Sequence, residues 1–437
     1  SSDNPGGVSE ELRLYRNVSS LSGAIRFELQ QTLSNENGNR GATLAVGDFN
    51  GDGRKDFAVE MRNGGNIASF MNNGSWNFTK YELDFANNST SLGLAAADVN
   101  RDGRDDLVFN SDGGENGGLW YAWNTSTNLW DAHQRDFSHR ITYGGTIAAG
   151  DLTGDGYPEI AVGGNSNILF GSHSCGSGAT ITSGERLMYG QTHANLGGSS
   201  GFAPPALSVI SAYGLKVSES VRTDINSCHG MDNAQMAIAD LDRDGKNDVI
   251  IAGSSTGQSG EPGKNGQHYD FAVLFNVNGT GKNFEIWENT GPQDPDGTTN
   301  GGPGNLDWPS IAVGDLTGDG YPEVFVQGHH RDYTVTDNPY VYEDVIFVNN
   351  GNRTFTAVHP SEYLASFSGS LPSGLGFLSG RPKYVAEGGV AMADFNSDGK
   401  VDVLFSGAEL PYHTNGVNYR DYNTAETLKT YVLKNAR

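Results

Sequence analysis

A nine-residue acidic segment recurs six times along this chain, each time between two short apolar runs, and no other feature restricts the fold as much. The first copy is Asp48-Phe49-Asn50-Gly51-Asp52-Gly53-Arg54-Lys55-Asp56, and the others begin at Asp98, Asp151, Asp240, Asp315 and Asp394. After most copies comes a third apolar run, an Asn/Gly turn and a fourth run carrying an aromatic. In the first unit these are Ile67 to Met71, Asn72-Asn73-Gly74, and Phe78 to Leu83. Repetition at such a period is read before anything else, because a unit that cannot bury its own faces must stack on its neighbours.

Four antiparallel strands per unit, arranged around an axis, protect sheet edges by radial repetition. The chain is therefore expected to be all-β, a single β-propeller of four-stranded blades over residues 25–437, preceded by an N-terminal extension over 1–24. The last unit supplies three strands, ending at Tyr431-Val432-Leu433, so the N-terminal run Ile25 to Leu29 is expected to close the last blade. Successive acidic segments start 50, 53, 89, 75 and 79 residues apart. The long interval from Asp151 to Asp240 has room for a blade without an acidic loop, which predicts seven blades, with six as the alternative. Cys175 and Cys228 bracket much of that interval, and their pairing would clamp it.

Each acidic loop offers oxygen at positions one, three, five and nine. The sets are Asp48, Asn50, Asp52, Asp56; Asp98, Asn100, Asp102, Asp106; Asp151, Thr153, Asp155, Glu159; Asp240, Asp242, Asp244, Asp248; Asp315, Thr317, Asp319, Glu323; and Asp394, Asn396, Asp398, Asp402. Calcium takes six to eight hard oxygens, and alternate positions of a tight loop can face one centre. Glycine at position six permits a positive φ. Up to six structural Ca²⁺ ions are expected. No glutamate stands at position twelve, which excludes an EF-hand.

These loops resemble the calcium-loop repeats called FG-GAP or VCBS, found in integrin α-subunits, fungal lectins and several polysaccharide lyases. The resemblance covers about residues 25 to 437 and implies a propeller and calcium. It says little about activity, since unrelated functions share such a fold. Thr153 and Thr317 depart from the usual Asp or Asn, which implies weaker ion binding there.

Strand alternation puts the acidic loops and the third-to-fourth-strand turns at one end of the sheets. The long segments, at roughly 172–230, 254–268, 289–308, 329–343, 359–387 and 408–427, then gather at the other end, together with His139, His173, His193, His229, His268, His329, His330, His359 and His413. Arg40, Tyr143, His229, Trp308, Tyr384 and Glu387 enter innermost strands near the axis. Arg62, Asp112, His329, His330, Arg331 and Glu409 leave second strands slightly further out. A concave site of mixed polarity is expected at this end.

The formal charge of −24 excludes nucleic acid and anionic membranes as partners, and no apolar run approaches the roughly 18 residues of a membrane span. The chain reads as a secreted monomer. Sequons at Asn17, Asn73, Asn77, Asn87, Asn88, Asn124, Asn278 and Asn352, with the two cysteines, fit an extracellular glycoprotein. The long loops differ from one another, as a single asymmetric site requires, whereas a lectin would repeat its pocket for avidity.

No carboxylate pair of glycosidase type, serine elbow or zinc spacing is present. A set of His, Tyr and Arg suits β-elimination from a uronic acid: a cation neutralises the carboxylate, one group removes the C5 proton and another protonates the leaving oxygen. The chain is similar in this respect to secreted fungal propeller lyases acting on rhamnosyl-glucuronate. That likeness assigns Arg331 to the carboxylate, His330 or His229 as base, and Tyr384 or Tyr143 as acid. His193, Trp308, His329, Tyr340 and His413 would contact the sugar of an acidic polysaccharide. The alternative is a calcium-stabilised lectin or adhesion protein that binds glycans without catalysis.

Overall fold

The computed structural model describes residues 11–21, 24–34, 43–61, 66–83, 91–99, 101–111, 118–123, 130, 132–136, 143–166, 173–175, 179–181, 187–193, 209–213, 230–256, 267–277, 279, 285–288, 307–331, 340–358, 385–386, 389–409, 427–433 and 435. Every regular element among them is a β-strand, as expected of a Gly-rich sequence with short apolar bursts.

The chain opens with a two-stranded hairpin of β1 (Glu11–Asn17) and β2 (Phe27–Ser34). The first four-stranded sheet follows, with β3 (Leu44–Gly47), β4 (Asp56–Met61), β5 (Asn66–Asn72) and β6 (Phe78–Leu83) in sequential antiparallel order. The second holds β7 (Ser91–Ala97), β8 (Asp106–Ser111), β9 (Gly118–Trp123) and β10 (Ala132–Asp136). The third begins with β11 (Tyr143–Gly150) and β12 (Glu159–Ser166). A small hairpin of β13 (His173–Cys175) and β14 (Ala179–Ile181) interrupts it, and β15 (Leu187–His193) and β16 (Val209–Tyr213) complete it. The fourth contains β17 (Gly230–Ala239), β18 (Asp248–Thr256), β19 (Gln267–Phe275) and β20 (Glu285–Glu288). The fifth contains β21 (Asp307–Gly314), β22 (Glu323–Arg331), β23 (Tyr340–Asn349) and β24 (Phe355–Val358). In the last sheet β25 (Val385–Ala386) and β26 (Val390–Ala393) share one edge of β27 (Asp402–Glu409), and β28 (Thr427–Leu433) takes the other.

This order bears on two expectations, the blade count and the closing of the last blade. In the interval from Asp151 to Asp240 the described residues supply β15 and β16 as the outer strands of the third sheet and the separate two-stranded β13–β14 sheet, and no further four-stranded sheet. The N-terminal strand β2 pairs with β1 and not with β28, so no β-ladder closes the last sheet among the described residues. Cys175 lies in β13, while Cys228 is outside the described residues.

Innermost strands pack in chain order, β3 on β7, β7 on β11, β11 on β17, β17 on β21 and β21 on β26. Alternation lets each sheet bury both faces. In the fourth sheet Ile250, Phe271 and Val273 face the fifth, and Val249, Ile251 and Leu274 face the third. Phe271 stacks on Phe347 of the next sheet with ring centroids 3.9 Å apart. Close approach of innermost strands needs Gly150, where an added Cβ would lie 2.8 Å from Ile238 Cγ2. The stack places all described acidic loops at one end of the sheets and the starts of β11 and β21 and the end of β22 at the other.

Candidate functional site

The six acidic loops share one backbone conformation. Glycine at position six has a positive φ in every copy, from 81° to 90°. Position four is left-handed as well, at Gly51, Arg101, Gly154, Arg243, Gly318 and Ser397. Arg101, Arg243 and Ser397 hold that conformation without being glycine, at a cost of roughly 1–2 kcal/mol each. The compensation is a set of turns in which backbone N–H groups donate to the loop's own side chains. Asp48 Oδ1 and Oδ2 accept from Asp52 N (3.0 Å) and Gly53 N (2.7 Å), and Asp394 accepts likewise from Asp398 N and Gly399 N. In the two Thr-containing loops Asp151 and Asp315 keep the position-six donors Gly156 N and Gly320 N (2.8 Å each), and Gly154 N (2.6 Å) and Gly318 N (2.7 Å) take the place of the position-five donor.

Position nine acts as a clamp. Asp56, Asp106, Glu159, Asp248, Glu323 and Asp402 are all buried. Asp248 accepts from Leu241 N at position two (2.9 Å) and from Asn276 N in the third-to-fourth-strand turn (2.8 Å). Asp56 does the same with Phe49 N and Asn72 N, and Asp402 with Phe395 N and Asn435 N. Each clamp thus binds the acidic loop to the turn beside it. The longer Glu159 and Glu323 accept from positions two and three of their own loops. Burial raises the carboxyl pKa of Glu159, Asp248 and Glu323 to about 7, against partial relief from these backbone donors. Position nine is therefore a structural group before it is a ligand, although an accepting carboxylate oxygen keeps a second lone pair for an ion.

The donor set fits calcium best in the fourth and fifth loops. Asp240, Asp242 and Asp244 each offer a carboxylate oxygen, all within 4.8 Å of one another. Asp240 Oδ1 and Glu323 Oε1 are buried acceptors with no hydrogen-bond partner, the condition a hard cation relieves. On the outer side of the fourth loop Arg353 approaches Asp242 Oδ2 (2.7 Å) and also pairs with Glu285 (2.9 Å). Asn100 lies outside the described residues.

Neighbouring loops are tied together by residues that the sequence reading passed over. The Asn ending a third strand donates through Nδ2 to the position-two carbonyl of the preceding unit's loop. Asn276 reaches Leu152 O (2.6 Å), Asn349 reaches Leu241 O (2.7 Å) and Asn435 reaches Leu316 O (2.8 Å). Arg101 and Arg243 at position four reach Asp155 O and Asp319 O of the following loop, over the rings of Tyr157 and Tyr321. The recurring Asn, and the Arg followed one unit later by Tyr, were the available signals.

At the opposite end, register brings several of the expected ligand residues to one sheet. His329 pairs with Asp307, the neighbour of Trp308, on one side and with Tyr342 on the other; Arg331 pairs with Tyr340. The run His329–Arg331 thus continues β22 as strand and is not a loop. Tyr143 opens β11 opposite Asn165, at the corresponding end of the third sheet. His193 is a correction: it pairs with Ile160, next to Glu159, at the acidic-loop end and away from the others. The antiparallel direction of β15 carries it there. His229, Tyr384 and His413 lie outside the described residues.

Residues 48–109 match the FG-GAP-like repeat and residues 143–174 the FG-GAP repeat. The chain is 30% identical over 157 residues to integrin alpha-PS2 of Drosophila melanogaster, a match covering 31% of this chain and 11% of the integrin. It therefore spans about a tenth of that relative's length. Among solved structures it is similar to an Agrocybe aegerita lectin described as recognising non-reducing terminal N-acetylglucosamine (TM-score 0.30, 17% identity, 80% of each chain). It is also similar to a mutant of AofleA from Arthrobotrys oligospora (TM-score 0.38, 11% identity, 99% of this chain and 94% of that one). Scores this low transfer neither fold nor ligand. The repeats and the integrin relative fit a β-propeller of FG-GAP type, with an acidic cluster in its fourth loop.

Proposed function

We propose that this chain is a secreted, calcium-stabilised FG-GAP propeller that binds an acidic polysaccharide at the end opposite its acidic loops and cleaves it by β-elimination next to a uronic acid. The observation that carries the reading is the register of the fifth sheet, which gathers Trp308, His329, His330, Arg331 and Tyr340 on three adjacent strands at that end. A guanidinium there supplies the local positive charge that a net-negative protein needs to hold a carboxylate. Neutralising the carboxylate lowers the barrier to losing the C5 proton, and an imidazole is the side chain best matched to take it near neutral pH.

In this reading Arg331 holds the carboxylate, and His330 or His229 is the base. Tyr143 or Tyr384 protonates the leaving oxygen. Trp308, His329, Tyr340 and His413 contact the sugar, and His193 has no part. Calcium, when bound, neutralises the acidic loops; Asp240, Asp242 and Asp244 in the fourth loop and Glu323 in the fifth would hold it.

Purified protein is to be incubated with a panel of uronic-acid glycans, and the unsaturated product followed by its ultraviolet absorbance. One substrate should give product, with Arg331→Ala and His330→Ala each losing at least roughly 100-fold in kcat/KM, as expected for removal of a charge-stabilising or proton-transfer group. Absence of product from every uronate glycan, together with binding of neutral sugars at several blades, would replace this reading with the non-catalytic lectin.

A further inference from the structure

The N-terminal hairpin copies the outer half of a blade. At the end of β1, Asn17 Nδ2 donates to Phe395 O (2.6 Å), the position-two carbonyl of the sixth acidic loop. That is the bond Asn276, Asn349 and Asn435 make to the loop of the unit before them. Asn17 Oδ1 accepts from Ser19 N (2.9 Å), as Asn72 Oδ1 accepts from Gly74 N and Asn349 Oδ1 from Gly351 N. Val18 N donates across the turn to Arg26 O (2.8 Å), as Asn73 N does to Asn77 O and Asn350 N to Thr354 O. Three separate bonds thus identify β1 as a third strand and β2 as a fourth.

Packing agrees. Phe27 meets Phe395 edge-on at 5.7 Å. On the other side Leu12, Leu14 and Leu33 cover Phe57, Ala68 and Phe70, with Val59 beside them. Those positions correspond by register to Val249, Ala272, Leu274 and Ile251, which face the third sheet from the fourth. The hairpin therefore occupies the outer part of a slot between the last sheet and the first.

Among the described residues, none fills the inner part of that slot. Leu44 and Val46 of β3 are 56% and 54% exposed. Their register equivalents in the fourth sheet are Met236 and Ile238, which pack against the third sheet, Met236 at only 8% exposed. Across the slot Ala391 and Ala393 of β26, on the face turned from the fifth sheet, are also exposed. Among the described residues nothing covers either wall. Exposed apolar walls beside a strand edge that no described strand pairs with are a template for strand addition.

We propose that this slot is a docking site for a β-hairpin of one chemistry: two short strands with small or branched apolar residues at alternate positions, joined by a nine-residue acidic loop of the repeat type. Such a hairpin would pair with the edge of β1 that no described strand occupies and cover Leu44 and Val46 on one side and Ala391 and Ala393 on the other. It would complete a seventh four-stranded unit and restore the contacts seen between every other pair of innermost strands. Its acidic loop would emerge beside the sixth, at the end where Asn17 binds Phe395 O.

The probe is a synthetic peptide with the sequence of residues 234–253, a strand–acidic loop–strand hairpin, added to the whole chain in calcium buffer. Binding at one peptide per chain, with a rise in Tm that saturates with the peptide, is expected. A peptide with the same composition in scrambled order should not bind. Leu44→Asp and Val46→Asp, at positions already exposed, should leave the Tm of the free protein unchanged and weaken peptide binding at least tenfold. Three results would overturn the proposal: no saturable binding, binding equal in the Leu44→Asp and Val46→Asp variants, or dimers of the chain that shield Leu44 and are not displaced by the peptide.

Discussion

Replacing Asn349 tests whether the units are held together through their acidic loops. Its Nδ2 donates to Leu241 O of the previous loop (2.7 Å) and to Pro322 O of its own (3.1 Å), while Oδ1 accepts from Gly351 N (3.0 Å). The residue is 4% exposed, so water cannot replace these partners without local opening. Asn349→Ala removes three bonds worth about 1 kcal/mol each and leaves buried carbonyls unpaired at about 1–3 kcal/mol apiece, partly overlapping terms. A net loss of roughly 2–4 kcal/mol follows. For 437 residues unfolding together, the entropy of unfolding is on the order of 0.9 kcal/mol/K, which converts this into about 2–4 °C in Tm. Asn349→Asp should cost more at neutral pH, because an ionised carboxylate turns an acceptor toward two carbonyls. The exposed neighbour Asn350, bonded only through Thr354 and Thr356 side chains and its own turn, is the control. Asn350→Ala should stay within about 0.5 kcal/mol of wild type. Calorimetry in saturating calcium measures all three. If Asn349→Ala is as mild as Asn350→Ala, the inter-unit bond contributes nothing and the reasoning fails.

Two further outcomes follow from the same geometry. Gly150→Ala places a Cβ 2.8 Å from Ile238 Cγ2 and should cost roughly 1–3 kcal/mol. Ile238→Ala should be less harmful in the Gly150→Ala background than alone, and strict additivity in a double-mutant cycle would contradict a steric origin. In chelator, the folded pKa values of about 7 at Glu159, Asp248 and Glu323 lie above the ordinary carboxylate range, so folding takes up protons. The stability they contribute is present at low pH and lost as pH rises through about 7. Tm of the chelated protein should fall over that interval and recover at neutral pH when calcium is added; a chelated Tm that climbs toward neutrality would refute this.

Much of the architecture was legible because the acidic loop is a local object. Its Asp and Gly spacing encodes a turn whose hydrogen bonds close within nine residues, and it marks the first and second strands of every four-stranded sheet. Elements without that loop were hidden. In the third sheet β15 and β16 lie in a long insertion, and only tertiary pairing with β12 identifies them. The alternation in Leu12, Leu14 and Tyr15 was present, yet β1 fell within the stretch read as an extension because no acidic loop announced it. The left-handed residues at Arg101, Arg243 and Ser397 could not be recognised from residue type, since arginine and serine rarely signal a positive φ. On the opposite face strand parity located Arg331 and Tyr340 at one end but failed for His193, whose strand had not been found.

The acidic loops make the stability of this chain a nearest-neighbour property. The position-two residue of a loop donates its N–H to that loop's own position-nine carboxylate, and its carbonyl accepts from the Asn of the next unit. One peptide segment therefore reports the state of its loop to its neighbour. A loop that loosens at position nine displaces the carbonyl that holds the following unit, so disorder should spread along the stack in chain order. Junctions with additional ties, such as Arg353 on Asp242 and the Phe271–Phe347 stack between the fourth and fifth sheets, resist this. Among the described residues the junction between the last sheet and the first has the hairpin, held by Asn17 and Phe27 on one side and three leucines on the other. Opening should begin there, where Leu44 and Val46 are exposed.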